Sequence, residues 1–168
     1  AYDHAAVQKA KKALEHAGSG DSHCACPSAA SRSLSGSAAQ NQAGPEDVPS
    51  CLSQWPVQIK LAPIHAPYFA NADLLIAADC TAFSYGNFHH DFIRNHITLI
   101  GCPKLDSTDY SEKLTEILRE NDIRSITVTR MEVPCCGGIQ FAVERAVENS
   151  GKKIPCKVFT IGIDGNLL

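Results

Sequence analysis

Eight cysteines punctuate this chain of 168 residues, at positions 24, 26, 51, 80, 102, 135, 136 and 156. Two are adjacent, in "RMEVPCCGGIQFAVERAV" (130–147), between an apolar run and a glycine pair that opens a helical pattern. In a small secreted protein an even cysteine number spells a disulfide framework. A mixed α/β domain of this size needs no such staples, and cytosol keeps thiols reduced. Metal binding or thiol chemistry is therefore the leading account of these residues.

The elements that must position the thiols follow from hydrophobic periodicity. "ADLLIAADC" (72–80), "HITLIGC" (96–102), "RSITVTRMEV" (124–133) and "CKVFTIGI" (156–163) are short apolar runs rich in β-branched residues, as in strands buried on both faces. "WPVQIKLAPI" (55–64) alternates Val57, Ile59 and Leu61 with Gln58 and Lys60, the period of a half-buried strand, until Pro63 and Pro67 interrupt it. Helices are predicted over 85–95, 107–122 and 138–151. In the second, Tyr110, Leu114, Ile117 and Leu118 share a face, with Ser107 or Thr108 as N-cap. In the third, Ile139, Phe141, Ala142, Ala146 and Val147 line up, and Gly151 closes the helix. Strand and helix alternate, so the expected fold class is α/β: a three-layer open parallel sheet of about four strands with flanking helices.

In such a sheet the strands run one way, and residues just past their ends gather along one edge, where these folds bind ligands. Cys80 follows the first strand, Cys102 the second, and Cys135 with Cys136 the third. Four convergent thiolates repel one another unless a cation holds them, and Zn(II) or an iron–sulfur cluster accepts four sulfur ligands. Cys80, Cys102, Cys135 and Cys136 are thus the expected metal ligands. Gly137 and Gly138 are expected to let the backbone approach the group, and the helix starting there directs N–H groups and a positive dipole end at it. His89 is the expected hydrogen-bonding neighbour of the sulfurs; His65 and His90 are weaker candidates for that edge. Asp79 is read as ordering its turn. Cys51 and Cys156 are read as packed thiols, Cys156 at the opposite edge. Cys24 and Cys26, with His23, offer further ligands or a redox pair from "CACP".

The organisation reads as a short helix over 1–17, a Ser/Ala/Gly-rich linker over 18–50 and an α/β metal-binding domain over 51–168. A net charge of −3 supplies no basic field for nucleic acid or an anionic membrane surface. No apolar run reaches the roughly 18 residues of a membrane span, and no signal-peptide pattern opens the chain, so a cytoplasmic location is expected. The sequence starts without methionine and reads as a piece of a longer protein.

"WPVQIKLAPIHAPYFANADLLIAADCTAF", "LIGCPKLD" and "RMEVPCCGG" together resemble a family of iron–sulfur proteins of anaerobic bacteria and archaea, the ferredoxin-domain proteins, over residues 52–168. The resemblance implies an N-terminal ferredoxin module with two 4Fe-4S clusters, then a linker, then this domain. "CACPS" is similar to the family's linker motif, with Ser28 in place of glycine. No "CxxCxxCxxxCP" repeat occurs here, so the chain corresponds to the part after that module. The tandem cysteines and "GCP" turn are also similar to the 4Fe-4S small subunits of complex I and nickel–iron hydrogenases.

Three functions compete on the sequence alone. The first is an electron-transfer module with a 4Fe-4S cluster, whose partner is a redox protein or an upstream ferredoxin domain, with a homo-oligomer compatible. The second is a structural or regulatory zinc domain using the same thiolates. The third is a thiol-dependent enzyme activated by the helix N-terminus. No "GxGxxG" follows any strand and "GCPKLD" is no phosphate loop, which disfavours a dinucleotide; a flavin is left open.

Overall fold

The computed structural model describes residues 32–34 and 48–168. The helix expected over 1–17, most of the expected linker, and His23, Cys24 and Cys26 lie outside the described residues.

The four apolar runs form one sheet: β3 (Ala72–Ala78), β4 (Ile97–Gly101), β5 (Ile123–Met131) and β6 (Cys156–Ile161). All neighbours pair in parallel, in the order β4-β3-β5-β6. Two short strands stand apart: β1 (Arg32–Ser33), within the expected linker, pairs antiparallel with β2 (Gln54–Trp55). The first strand of the sheet is flanked by the second on one side and the third on the other. The chain therefore reverses its direction of progress at β3, so the carboxyl ends of β3 and β5 form the switch point at which sheets of this topology open a ligand crevice.

Leu74, Ile76, Ile126 and Val128 are buried on one face of the sheet. Leu74, Ile76 and Ile126 meet Leu114 and Leu118 of α3 (Tyr110–Glu120) and Val143 and Ala146 of α4 (Gly137–Ser150). Helix α3 starts at Asp109, whose carboxylate accepts from the Ser111 N–H at 2.8 Å. Ser107 and Thr108 do not cap it, because Ser107 has a left-handed backbone (φ 47°) that ends the preceding turn α2 (Pro103–Asp106). Helix α4 ends at Gly151, whose φ of 71° suits a residue without a Cβ. Ile139, Ala142, Val143 and Ala146 are buried there, whereas Phe141, expected on that face, is 75% exposed.

The other face is covered by residues 85–95, where a π-helical turn (His89–Ile93) replaces the longer helix expected. Its Phe92 packs edge-on against Phe159 of β6, ring centroids 5.3 Å apart, and against Tyr85. Residues 55–64 likewise form no regular strand. After β2 the chain follows the outer edge of β4, with Ile100 N–H donating to Val57 O at 2.8 Å and Ile59 N–H donating to Ile100 O at 2.9 Å. It then turns, Leu61 and Ala62 N–H both donating to Gln58 O. Gln54 is fully buried because its amide completes that edge: its Nε2 donates to Thr98 O and its Oε1 accepts from Thr98 N.

Among the described residues, no helix is long and apolar enough to cross a membrane.

Candidate functional site

Each parallel strand ends where a loop turns back over the carboxyl edge of the sheet, and the predicted thiols sit in those loops. Cys80 follows β3 directly and precedes the helical turn α1 (Thr81–Ser84). Thr81 anchors that turn: its buried hydroxyl donates to Ala78 O at 2.7 Å and lies 3.3 Å from Thr129 Oγ1 on β5. Cys102 follows β4 and precedes α2. Cys135 and Cys136 lie in a 3-10 turn (Pro134–Cys136) that runs straight into α4.

Cys136 is buried, Cys102 half-buried, and Cys80 and Cys135 are exposed. Burial pushes the Cys136 thiol above its ordinary value; a backbone hydrogen bond with Met131 opposes this, while the thiols of Cys135 and Cys80 add to the rise. Thus Cys136 lies within electrostatic reach of both Cys135 and Cys80, where the ends of β3 and β5 meet. Cys102 approaches from the other side through its neighbour: a Cβ on Gly138 would lie 3.1 Å from Pro103 Cβ. As the side chains stand, no three His, Cys, Asp or Glu among the described residues are grouped as a metal ion would need.

The glycine pair divides in role. Gly138 keeps α4 close to Pro103, whereas a Cβ on Gly137 would meet nothing within 4 Å. Gly137 therefore faces open space between Cys136 and the first turn of a helix whose N-terminus has no side-chain cap.

His89 departs from expectation. Its Nδ1 accepts from the Cys51 N–H at 3.1 Å, so the ring ties the segment before β2 to the π-helical turn instead of a sulfur. His65 is exposed, and His90 is engaged by Asp91, 2.8 Å from its Nδ1. Cys51 is half-buried against the core. Cys156 starts β6 at the far edge and is exposed by surface area, though its surroundings still desolvate the thiol and push it above its ordinary value.

Sequence reasoning missed a carboxylate network beside Cys80 and Cys102. Asp79 donates its N–H to Gly101 O at 3.2 Å, and its Oδ1 is buried without a hydrogen-bond partner among the described residues. Burial raises its carboxyl above the usual range, and the charge of Asp106 raises it further, against a hydrogen bond with Gln58. Asp106 in turn accepts from the buried Tyr110 hydroxyl, whose ionisation is pushed up by burial and by that bond. Gly101 is the hinge of this packing, since a Cβ there would lie 2.6 Å from Tyr110 Oη.

The parallel order, the reversal at β3 and the switch point at the strand ends have a counterpart among known proteins. Residues 66–168 match the Rossmann-like domain family. The chain belongs to that family. An Archaeoglobus fulgidus protein described only as uncharacterized is 33% identical to it over 115 residues, 68% of this chain and 81% of that protein. No solved structure matches the chain. Within the Rossmann-like frame the ligand position is the carboxyl edge of the sheet, which here carries thiols where nucleotide-binding members carry spaced glycines.

Proposed function

We propose that this Rossmann-like domain is an electron-transfer module that holds an iron–sulfur cluster of the 4Fe-4S type through Cys80, Cys102, Cys135 and Cys136, in a reducing cytoplasm. The observation that carries the reading is that Cys80, Cys102 and the Cys135–Cys136 pair lie in the segments directly after β3, β4 and β5, three neighbouring parallel strands, at one edge of the sheet. Thiolates so placed destabilise one another in the free protein, and a cationic centre relieves that repulsion. Cys102 is the fourth sulfur, on the adjacent loop; closing the set requires side-chain rotation, which the exposed Cys80 and Cys135 are free to make.

The rest of the edge suits the same role. The open space over Gly137 admits a bulky inorganic group where a side chain would intrude, and uncapped N–H groups of α4 face negative charge there. The bound group would supply a one-electron couple; the chain holds it, shields one side through the buried Cys136 and aims backbone dipoles at it. The resemblance to ferredoxin-domain proteins belongs to this reading, with an upstream ferredoxin module or separate redox protein as electron partner.

Anaerobic purification from a host able to build clusters, followed by iron and acid-labile sulfide analysis, tests the proposal. Expected are iron with sulfide, a brown colour that bleaches under dithionite, and a low-temperature paramagnetic signal in the reduced protein. A colourless protein holding stoichiometric zinc would overturn it in favour of a closed structural site.

A further inference from the structure

Large apolar side chains stand exposed on three loops that carry or adjoin the thiols. Phe83, 93% exposed, lies in α1 three residues after Cys80; Leu105, 79% exposed, lies in α2 three residues after Cys102; and Ile163, 75% exposed, follows β6 at the same edge. The loops touch in a ring. A Cβ on Gly165 would lie 2.6 Å from Ser84 O, joining the loop after β6 to α1. Ile163 N–H donates to Glu132 Oε1 at 2.8 Å, joining it to the segment that leads into Cys135. Pro103 against Gly138 joins that segment to α2, and Asp79 N–H to Gly101 O returns to Cys80.

The charges on these loops are one-sided. Asp106, Glu132 and Asp164 are opposed by the ammonium of Lys104. We propose that this edge is the docking face for a partner protein that presents an apolar patch ringed by lysine or arginine. The assignment names the partner chemistry of the site proposed above and rests on that reading for its purpose. A second copy of the chain is the poorer occupant, because it would set the same carboxylates against each other. The apolar area is also small: three large side chains contribute on the order of 500 Å², which suits a transient encounter and not an obligate dimer.

The test is binding alone, with a soluble lysine-ringed cytochrome c as the probe and the full chain labelled for amide NMR. Shift changes should concentrate in residues 80–84, 102–106, 132–138 and 162–166, and affinity should fall about tenfold between low and physiological salt. Phe83→Ser with Leu105→Ser should weaken binding about fivefold. Glu132→Gln with Asp164→Asn, which keep their acceptor oxygens, should weaken it similarly, and Lys104→Glu should tighten it about threefold. Glu116→Gln with Glu120→Gln, exposed on α3, is the charge control and should leave affinity within about twofold. Equal weakening by the control, shifts spread over the molecule, or a self-dimer abolished by Phe83→Ser with Leu105→Ser would each overturn the assignment. Iron and sulfide analysis of the same samples separates the two ideas. An iron-free protein that still binds through these loops sinks the redox reading and keeps the face; a cluster-loaded protein with no such contact does the reverse.

Discussion

The two ends of the parallel sheet use similar residue types to opposite effect. At the carboxyl end, Cys136 is buried at the edge of the core near two exposed thiols, and Asp79 is a half-buried carboxyl with an oxygen unpartnered among the described residues, near a second carboxylate. At the amino end, Cys156 stands exposed, and Asp73 is fully answered by the Arg124 guanidinium and by the Ser125 hydroxyl at 2.7 Å. The contrast lies in the carboxylates: Asp79 is pushed away from its charged form, whereas Asp73 is held in it; burial raises the thiols of Cys136 and Cys156 alike. A chain gains no stability from crowding thiols and carboxylates, so under the proposed function the carboxyl end is where function is traded against folding.

The largest effect that could break this comparison is metal loading. Replacing Cys80, Cys102, Cys135 or Cys136 by alanine should abolish most iron binding, because a site missing one of four ligands opens to water. Cys51→Ala and Cys156→Ala should leave iron content unchanged, Cys51 costing only a small packing defect at a half-buried site. Iron and sulfide per chain in the six variants is the measurement. Equal losses at all six would mean general destabilisation and would remove the distinction between the two ends.

Next in size are the glycines, which separate folding from loading within the carboxyl end. Gly101→Ala drives a Cβ to 2.6 Å from Tyr110 Oη and should cost about 1–3 kcal/mol in urea unfolding, loaded or not. Gly137→Ala meets nothing and should be neutral or stabilising by up to about 1 kcal/mol in the metal-free chain, since alanine favours helix. The loaded protein should respond the other way, with iron content lowered by the added methyl. Unchanged loading in Gly137→Ala would show that the open space there accommodates nothing.

Much of this arrangement is legible in the sequence because parallel strands are buried on both faces and so read as unbroken β-branched runs. That pattern alone places Cys80, Cys102, Cys135 and Cys136 at strand ends. Local signals failed where tertiary contacts decided. "WPVQIKLAPI" has the alternation of a strand, yet Ile59 is buried and Leu61 half-exposed, because the chain turns after pairing briefly with β4. Phe141 lies within the apolar pattern of α4, but Val143 takes the place against the sheet. Gln54 reads as a polar surface residue and is buried, since only the fold brings the unpaired backbone of Thr98 to its amide. His89 lies close in sequence to Cys80, yet the π-helical turn gives its ring to Cys51. The Asp79, Asp106 and Tyr110 network joins the segments after β3 and β4, and the approach of Asp79 to Asp106 leaves no trace in spacing.

The smallest effect is the one that tests the electrostatic opposition of the two ends directly, on the metal-free chain. For Asp73, burial favours the neutral form, but hydrogen bonds from Ser125 and Arg124 and the nearby positive charge outweigh it, so its carboxyl titrates below the ordinary range. The unfolded chain then binds a proton first as pH falls. The contribution of Asp73 is complete above the ordinary carboxylate value of about 3.9 and is lost as pH falls through the folded value. Asp73→Asn should lower the unfolding temperature at pH 7 by no more than a few degrees, because Arg124 is largely exposed, and the gap to the parent should close in acid. Asp79 has the reverse sign. Its raised value means that the folded chain holds the proton longer, so its charge costs stability as pH rises above the ordinary range. Asp79→Asn should therefore raise the unfolding temperature at pH 7, and that gap too should close in acid. Thermal unfolding of both variants between pH 3 and 7 decides the matter. Shifts of the same sign would show that the two ends of the sheet do not differ in the way their burial and bonding require.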